Sequence, residues 1–233
     1  MRIGILGGGV LGQALEERLT IAGHEVFVGT RDTSYEHAAE QPVVFLTIAW
    51  PHALSVVRRL RDILAGRVLV DCTNPESEDG GLLIGWNDSG AETIARALPE
   101  TQVVKAFNAL YAEHLIETHP PASKLITVLH CGDDALAKGT TAELIESCGF
   151  DALDAGPLSV ARYLEPMAML TVALVRNEKW GPLGIAWSVL REGDHEAACE
   201  SCGRPASLVS REKHVLCGAC FFLESQSRLA AGA

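Results

Sequence analysis

Six residues near the start of the chain have the types and spacing of a nucleotide-binding turn: Gly7, Gly8, Gly9, Val10, Leu11 and Gly12. They fit the pattern G-x-G-x-x-G, follow an apolar run and open a helical pattern. Gly7 would permit the tight turn, Gly9 would let the backbone approach a pyrophosphate, and Gly12 would let the helix pack near the strand. Free N–H groups at the start of the helix would bind the phosphates. The pattern predicts a dinucleotide site, with a turn that binds no ligand as the alternative.

The end of the second predicted strand distinguishes between the two nicotinamide dinucleotides. NAD sites usually carry an acidic residue there, which binds the ribose 2′-hydroxyl. This chain has Gly29, Thr30 and Arg31 instead. Because a guanidinium can bind a 2′-phosphate through several N–H donors, we predict NADP(H) rather than NAD(H). The alternative is that Arg31 is a solvated loop residue paired with Asp32.

Four cysteines near the C-terminus form two C-x-x-C pairs separated by 14 residues: Cys199, Cys202, Cys217 and Cys220. Zinc prefers four thiolates in a tetrahedron, and this spacing is close to that of a zinc ribbon. A closed site of this kind leaves no open position for catalysis. We therefore predict a structural Zn²⁺ that folds a segment too small for its own core, with an iron site or a redox dithiol as the alternatives.

Seven further residues could do chemistry, and each has a simpler structural explanation. His52 could line a cleft, although a helix-start histidine without a role is favoured. Lys105 lies on an apolar strand, where it could act as an acid, but a salt-bridge partner is favoured. Arg162 and Glu165 are one helical turn apart and are predicted to pair, unless Arg162 meets an acidic substrate. The isolated Cys72, Cys131 and Cys148 are predicted to be buried as small apolar residues.

Alternating strand and helix patterns must position these residues. Apolar strand runs occur at 2–7, 25–29, 43–48, 67–71, 102–107 and 124–129, and helical periodicity at 10–22, 52–64, 89–98 and 135–147. This rhythm is typical of an α/β fold with a doubly wound parallel sheet, the Rossmann fold. Later, 160–176 and 180–191 read as long apolar helices that pack on the Rossmann body, on a second subunit, or on both.

The change of pattern along the chain predicts four segments. A Rossmann domain that binds NADP would occupy 1–154, and a helical region for substrate binding or dimerisation would occupy 155–195. A zinc-ribbon-like module would follow at 196–222, with a loose tail at 223–233.

Composition excludes some partners. The 233 residues carry a net charge of -11, which argues against nucleic acid or an anionic membrane as the main partner. The longest apolar run, Met167 to Val175, is too short to span a membrane. Met1 and Arg2 lead directly into an apolar strand without the pattern of a signal peptide, so we expect a cytoplasmic protein.

The chain resembles the NADPH-dependent reductases of coenzyme F420, the F420H2:NADP oxidoreductases. The matching stretches are IGILGGGVLGQAL at 3–15, VFVGTR at 26–31, VLVDCTNP at 68–75, VVKAFNAL at 103–110 and DAGPLSVARYLEPMAMLTVAL at 154–174. The resemblance implies a homodimer that holds NADP(H) at the glycine turn, Thr30, Arg31, Ile48, Ala49 and Asn74. It places the second substrate over the nicotinamide near Asn74, Asn108 and 156–170. Direct hydride transfer between two bound rings would need no acid or base residue.

These observations support two classes of function. The first is an NADPH-dependent reductase that transfers hydride to or from a small redox-active substrate such as coenzyme F420, an imine or a dehydro-amino acid. The second is a non-catalytic NADP-binding protein that docks partners through its zinc module. A third possibility is that the zinc module covers the substrate cleft of the same or a neighbouring subunit.

Overall fold

The computed structural model describes residues 1–77, 79–117, 126–176 and 186–189, together with the short strands at 208–209 and 215–216. Two compact units divide the chain, Met1–Trp187 and Ser188–Ala233. In the second unit, two short strands, Leu208–Val209 and Val215–Leu216, pair in antiparallel orientation. The segment boundaries expected at 154 and 195 remain predictions.

The first unit has a seven-stranded sheet. Its strands are β1 (Arg2–Leu6), β2 (Glu25–Gly29), β3 (Val43–Leu46), β4 (Val68–Asp71), β5 (Gln102–Lys105), β6 (Thr127–Gly132) and β7 (Asp151–Asp154). Its helices are α1 (Val10–Ile21), α2 (Tyr35–Ala39), α3 (Trp50–Arg59), α4 (Arg61–Leu64), α5 (Gly90–Ala97), α6 (Ala112–Glu117), α7 (Ala135–Ser147) and α8 (Ala161–Val175). The predicted alternation of strands and helices is confirmed, although α2, α6 and β7 were not predicted.

The strand order is β2-β1-β3-β4-β5-β6-β7, and the first five strands run parallel. β6 departs from the fully parallel prediction, because it runs antiparallel to β5 and Lys105 lies opposite Cys131. The short α6, which lies between β5 and β6 in the chain, packs against α1. β7 is parallel to β6.

Both faces of the sheet are covered, which explains why its strands read as continuous apolar runs. Phe45 faces a cluster that includes Leu15 and Leu19 of α1. Its neighbours Val44 and Leu46 face the opposite cluster, to which α2, α3, α4, α5 and α8 contribute. Two buried layers therefore hold the carboxyl ends of the parallel strands in fixed positions.

The helical region after β7 differs from expectation in one respect. A single 3₁₀ turn and α8 together cover Leu158–Val175, 18 residues with a mean hydropathy of 1.4, of which 33% are buried. By length and composition alone this segment could cross a membrane, although it contains no uninterrupted apolar run of that length. The prediction considered only uninterrupted apolar runs. The hydropathy averaged over all 18 residues remains high even though the segment includes Arg162 and Glu165. A helix of a folded core meets the same criterion, and α8 packs against α5.

The second apolar stretch expected to be helical, 180–191, lies largely outside the described residues. Residues 186–189 have no helical structure.

Candidate functional site

The glycine-rich turn connects β1 to α1, as the sequence pattern predicts. Gly7 has a φ of +122°, a backbone conformation that favours glycine, and a Cβ there would lie 2.7 Å from Thr47 Oγ1. A Cβ on Gly12 would overlap the Gly7 carbonyl oxygen. A Cβ on Gly8 would lie 2.8 Å from Thr30 Cγ2, so the turn and the end of β2 are in close contact. Side chains at these positions would disrupt the turn itself.

Gly9 is different, because the space beside it is open. A Cβ on Gly9 would meet no atom within 4 Å. Gly9 is also the N-cap of α1, where no side chain caps the helix and the first turn contains no acidic residue. The exposed fraction of Val10, next in the chain, is 70%. The free N–H groups and the positive end of the helix dipole thus face open space, an arrangement that fits a pyrophosphate.

A network of hydroxyl hydrogen bonds orders the loop after β2. The Thr30 backbone N–H donates to Thr33 Oγ1 at 2.9 Å, and Thr30 Oγ1 accepts from the backbone N–H groups of Asp32 and Thr33, both at 3.2 Å. Arg31 is exposed, and within the described part of the chain it forms no ion pair. The alternative pairing of Arg31 with Asp32 is therefore not observed. Sequence reasoning missed Thr33, although a threonine just after a strand end is typical of such turns.

The cavity next to this turn lies where the strand order reverses. β1 and β3 are neighbouring strands, and the chain continues from β1 to β2 on one side and from β3 to β4 on the other. Open α/β sheets bind ligands at such a point. The cavity has a volume of about 340 Å³. Its lining comes from α1, the β3 and β4 carboxyl ends and the start of α3: Leu11, Thr47, Ile48, Ala49, Trp50, Pro51, Cys72, Thr73, Asn74, Glu76 and Ser77. Four residues predicted from the sequence, Leu11, Ile48, Ala49 and Asn74, thus line one cavity. His52 is exposed and is not part of this lining.

Asn74 and Asn108 form an amide pair between the β4 and β5 carboxyl ends. Asn74 Nδ2 donates to the Asn108 carbonyl oxygen at 2.9 Å, and Asn108 Nδ2 donates to Asn74 Oδ1 at 3.0 Å. Asn108 Nδ2 also donates to the Leu164 carbonyl oxygen at 2.9 Å, which ties the pair to α8. The preceding residue, Phe107, is buried and has a φ of 60°, a conformation uncommon outside glycine. Such backbone strain is typical of functional sites, but the sequence has no signal for it.

Lys105 is buried between two carboxylates. Its Nζ lies 2.9 Å from Asp71 Oδ2 and 2.9 Å from Glu165 Oε1, and all three side chains are fully buried. Nζ also donates to the Thr73 carbonyl oxygen. Burial lowers the pKa of Lys105, but the charges and hydrogen bonds of Asp71 and Glu165 together raise it by more. The resulting pKa is above its ordinary value. The favoured salt-bridge prediction is confirmed, and a charged, enclosed Lys105 is unsuited to act as an acid.

The predicted pairing of Arg162 with Glu165 is wrong. Glu165 Oε2 accepts from the Gly90 N–H at 2.9 Å, and Oε1 accepts from the Ala91 N–H at 3.1 Å, at the start of α5. Arg162 instead binds both carboxylate oxygens of Glu92, at 2.7 and 2.9 Å. The spacing brings Arg162 and Glu165 near each other, but Glu165 faces the core, where Lys105 and a helix N-terminus compensate its charge.

The cysteines divide into two groups. Cys72, Cys131 and Cys148 are buried free thiols, as predicted. Burial raises the pKa of Cys131 to about 12 and that of Cys148 to about 11, and it raises the pKa of Cys72 well above its ordinary value. These thiols are protonated and unreactive at neutral pH. The predicted zinc ligands lie outside the described residues, and among the described ones no cluster of three or more His, Cys, Asp or Glu could hold a metal.

Comparison with known proteins connects this geometry to a chemistry. The profile of the family described as NADP oxidoreductase, coenzyme F420-dependent, matches residues 2–75. The F420-dependent NADP reductase of Methanothermobacter thermautotrophicus is 32% identical over an alignment of 212 positions that covers 76% of this chain and 90% of that protein. Metalloreductase STEAP3 of Rattus norvegicus is 34% identical over 182 residues, 72% of this chain, but the chain spans only 36% of that protein.

Solved structures agree with this relationship. The structure of a candidate F420-dependent NADP reductase from Arthrobacter sp. FB24 superposes with a TM-score of 0.75 at 26% identity and covers 82% of this chain and all of that one. The NADP-bound pyrroline carboxylate reductase of Plasmodium falciparum has a TM-score of 0.53 at 14% identity over 76% of this chain and 67% of that one, which shows the shared fold. These relatives favour the reductase over the non-catalytic alternative. The chain belongs to the family of F420-dependent NADP reductases and is an NADP(H)-dependent oxidoreductase.

Proposed function

We propose that this protein transfers hydride between NADP(H) and a small redox-active ring, with coenzyme F420 as the first candidate. The cavity where the strand order reverses is the observation that carries the proposal. Leu11, in the first turn of α1, and Asn74, at the end of β4, line the same space. A cofactor anchored at the glycine turn therefore reaches the amide pair with its reactive end.

The residues of the turn fit NADP(H). Its pyrophosphate would lie against the N-terminus of α1 beside Gly9, where no side chain intervenes. Arg31, which forms no ion pair with a described residue, would bind the 2′-phosphate, supported by the ordered Thr30 loop. Ile48, Ala49, Asn74 and Asn108 would surround the nicotinamide.

The lining of the cavity suits direct hydride transfer. When bound, NADPH supplies a hydride from its nicotinamide ring, and the acceptor takes up that hydride together with a proton from solvent. The lining side chains are mostly apolar or uncharged. The Cys72 thiol is protonated, and Glu76 pairs with Arg176 at 3.5 Å. The protein would contribute by positioning the two rings and by excluding water.

A turnover screen tests this function. NADPH and NADH are each supplied with F420, an imine, a dehydro-amino acid, a flavin and a quinone, and loss of nicotinamide absorbance is followed. We expect NADPH-dependent turnover, fastest with F420. Turnover with none of these acceptors, or equal rates with NADH, would contradict the proposal.

Two further proposals concern the assembly. We expect Cys199, Cys202, Cys217 and Cys220 to hold a structural Zn²⁺, and we expect a homodimer located in the cytoplasm. Deletion of 196–233 separates the possible roles of the module. If the deletion variant keeps turnover but no longer binds a partner protein, the module serves docking. If it loses turnover but still binds NADPH, the module covers the substrate cleft.

A further inference from the structure

Two different links join α8 to α5. The inner link is Glu165, fully buried, which accepts hydrogen bonds from the Gly90 and Ala91 N–H groups and pairs with Lys105 at 2.9 Å. The outer link is Arg162 bound to Glu92 at 2.7 Å, and the Arg162 side chain is 34% exposed. Both links hold the same two helices, but only the inner one continues toward the cavity.

One branch of the inner link leads through β4 to Asn74. Lys105 Nζ contacts Asp71 Oδ2 at 2.9 Å and donates to the Thr73 carbonyl oxygen. Asp71 Oδ1 in turn accepts from the Thr73 N–H at 2.9 Å and from Thr73 Oγ1 at 2.7 Å. Thr73 is thus held by three hydrogen bonds, and the next residue in the chain is Asn74.

The other branch leads directly to Asn108. Leu164 precedes Glu165, and its carbonyl oxygen accepts from Asn108 Nδ2 at 2.9 Å. The same Asn108 Nδ2 donates to Asn74 Oδ1 at 3.0 Å. The ion pair between Glu165 and Lys105 therefore fixes the neighbouring Leu164 carbonyl group, which orients the Asn108 amide. Lys105 also fixes Thr73, the residue before Asn74.

We propose that Glu165 and Lys105 are positioning residues that set the geometry of the Asn74–Asn108 amide pair at the hydride-transfer site, an inference that rests on the function proposed above. Two buried carboxylates share one ammonium, and the α5 N-terminus stabilises the remaining negative charge. This arrangement is satisfied in one geometry, because moving α8 would leave the buried charge of Glu165 without its partners.

The test compares Glu165→Gln with Arg162→Gln. Glutamine keeps the shape of Glu165 but removes its charge, and its amide NH2 group cannot accept the hydrogen bond that one carboxylate oxygen accepts in the original protein. Lys105 keeps its contact with Asp71. Arg162→Gln breaks the outer link between the same helices without contact to the amide pair. We expect Glu165→Gln to lower kcat at least tenfold while the Kd for NADPH changes less than twofold. Arg162→Gln should keep kcat within twofold of the original protein.

A spectroscopic measurement makes the test independent of the hydride acceptor. The fluorescence emission of bound NADPH reports the surroundings of the nicotinamide ring. We expect emission in Glu165→Gln to shift toward that of free NADPH at saturating cofactor, and to stay unchanged in Arg162→Gln. If the original protein turns over none of the acceptors, the proposed function fails, and this shift still decides the positioning role.

Glu165→Asp provides a second variant in case Glu165→Gln does not fold. It retains the buried negative charge, but its side chain is one methylene too short to reach both Lys105 and the α5 N–H groups. We expect an intermediate loss of kcat and an intermediate emission shift. Equal effects in the inner-link and outer-link variants, or normal kcat and emission in both Glu165 variants, would overturn the proposal.

Discussion

Arg31 is the residue on which the preference for NADP(H) depends. It directly follows the ordered Thr30 at the end of β2, its side chain is exposed, and no described residue forms an ion pair with it. A guanidinium in this state can bind a 2′-phosphate without first breaking a salt bridge.

Replacing Arg31 should therefore affect one cofactor only. We expect Arg31→Gln to raise the Kd for NADPH by roughly 10- to 100-fold, since a hydrogen bond to a charged group contributes about 1.5–3 kcal/mol. The Kd for NADH should stay within twofold, because NADH lacks the 2′-phosphate. Fluorescence titration measures both constants, and Arg61→Gln, an exposed arginine on α4, is the control. Equal weakening of both cofactors would contradict the assignment.

Two of the four glycines of the turn, Gly9 and Gly12, should respond differently to alanine. Gly9 has a φ of -73° and open space at its Cβ, so Gly9→Ala should lower stability by at most about 1 kcal/mol, as expected at an N-cap. It should nevertheless raise the Kd for NADPH at least tenfold, because the methyl group occupies the pyrophosphate position.

Gly12→Ala is the matched control for this experiment. Its Cβ would overlap the Gly7 carbonyl oxygen, so we expect a clear loss of thermal stability along with any loss of affinity. Unfolding curves and NADPH titrations separate the two effects. Unchanged NADPH affinity in Gly9→Ala would show that the pyrophosphate binds elsewhere.

At the scale of elements, the packing of α8 on the sheet depends on charge as well as on apolar contact. Leu164 is buried in the cluster that includes residues of α3 and α5, and Ala168 is also buried. Between them, fully buried Glu165 reaches Lys105 of β5 and the N-terminus of α5. A buried ion pair of this kind contributes little net stability but is costly to break, so it fixes how α8 sits on the sheet.

Removing the ammonium alone should destabilise the fold strongly. We expect Lys105→Met to lower the free energy of unfolding by about 3–5 kcal/mol, because Asp71 and Glu165 are left as buried, unpaired charges. The triple variant that adds Asp71→Asn and Glu165→Gln should recover at least half of this loss. Urea denaturation measures all three proteins. A loss below about 1 kcal/mol in Lys105→Met would contradict the burial of the charges.

The outer link between α8 and α5 should depend on pH. The hydrogen bond from Arg162, above all, lowers the pKa of Glu92 below its usual value of 4.5. A carboxyl whose folded pKa is depressed contributes stability above its unfolded pKa and loses it as pH falls through the folded pKa. The original protein should therefore melt at a higher temperature than Arg162→Gln at pH 7, and this difference should shrink as the pH falls below 4.5 and through the lower folded pKa of Glu92. A difference that stays constant with pH would exclude the ion pair as its cause.

At the scale of the whole molecule, the described nucleotide-site residues all belong to the unit Met1–Trp187. The four cysteines of the predicted zinc site all belong to the second unit, Ser188–Ala233. This division predicts that the metal and the cofactor bind independently.

Metal analysis tests this independence. We expect one zinc per chain in the original protein and less than about 0.2 in Cys199→Ser/Cys202→Ser, because two thiolates no longer complete a tetrahedron. The Kd for NADPH should change less than twofold in that variant. Cys148→Ser, which alters a buried free thiol of the first unit, is the control for zinc content. Full zinc occupancy in the double variant would contradict the four-cysteine site.

Features determined by neighbouring residues could be predicted from the sequence alone. The bounds of β2 and α7 match their predicted ranges, 25–29 and 135–147, because apolar periodicity and the caps that end a helix are local. The glycine turn and the exposed Arg31 follow from residue types at fixed spacing. Leu11, Ile48, Ala49 and Asn74 share a cavity because the carboxyl ends of parallel strands meet at one edge of a sheet.

Features that depend on distant partners required the tertiary structure. The sequence showed Lys105, Arg162 and Glu165 but not their partners, since Glu165 binds Gly90, 75 positions away, and Arg162 binds Glu92, 70 positions away. The antiparallel direction of β6 and the Asn74–Asn108 amide pair likewise depend on the path of the chain through space. The residue types indicate which charged and amide groups need partners when buried. The packed fold decides which partners lie within hydrogen-bonding distance.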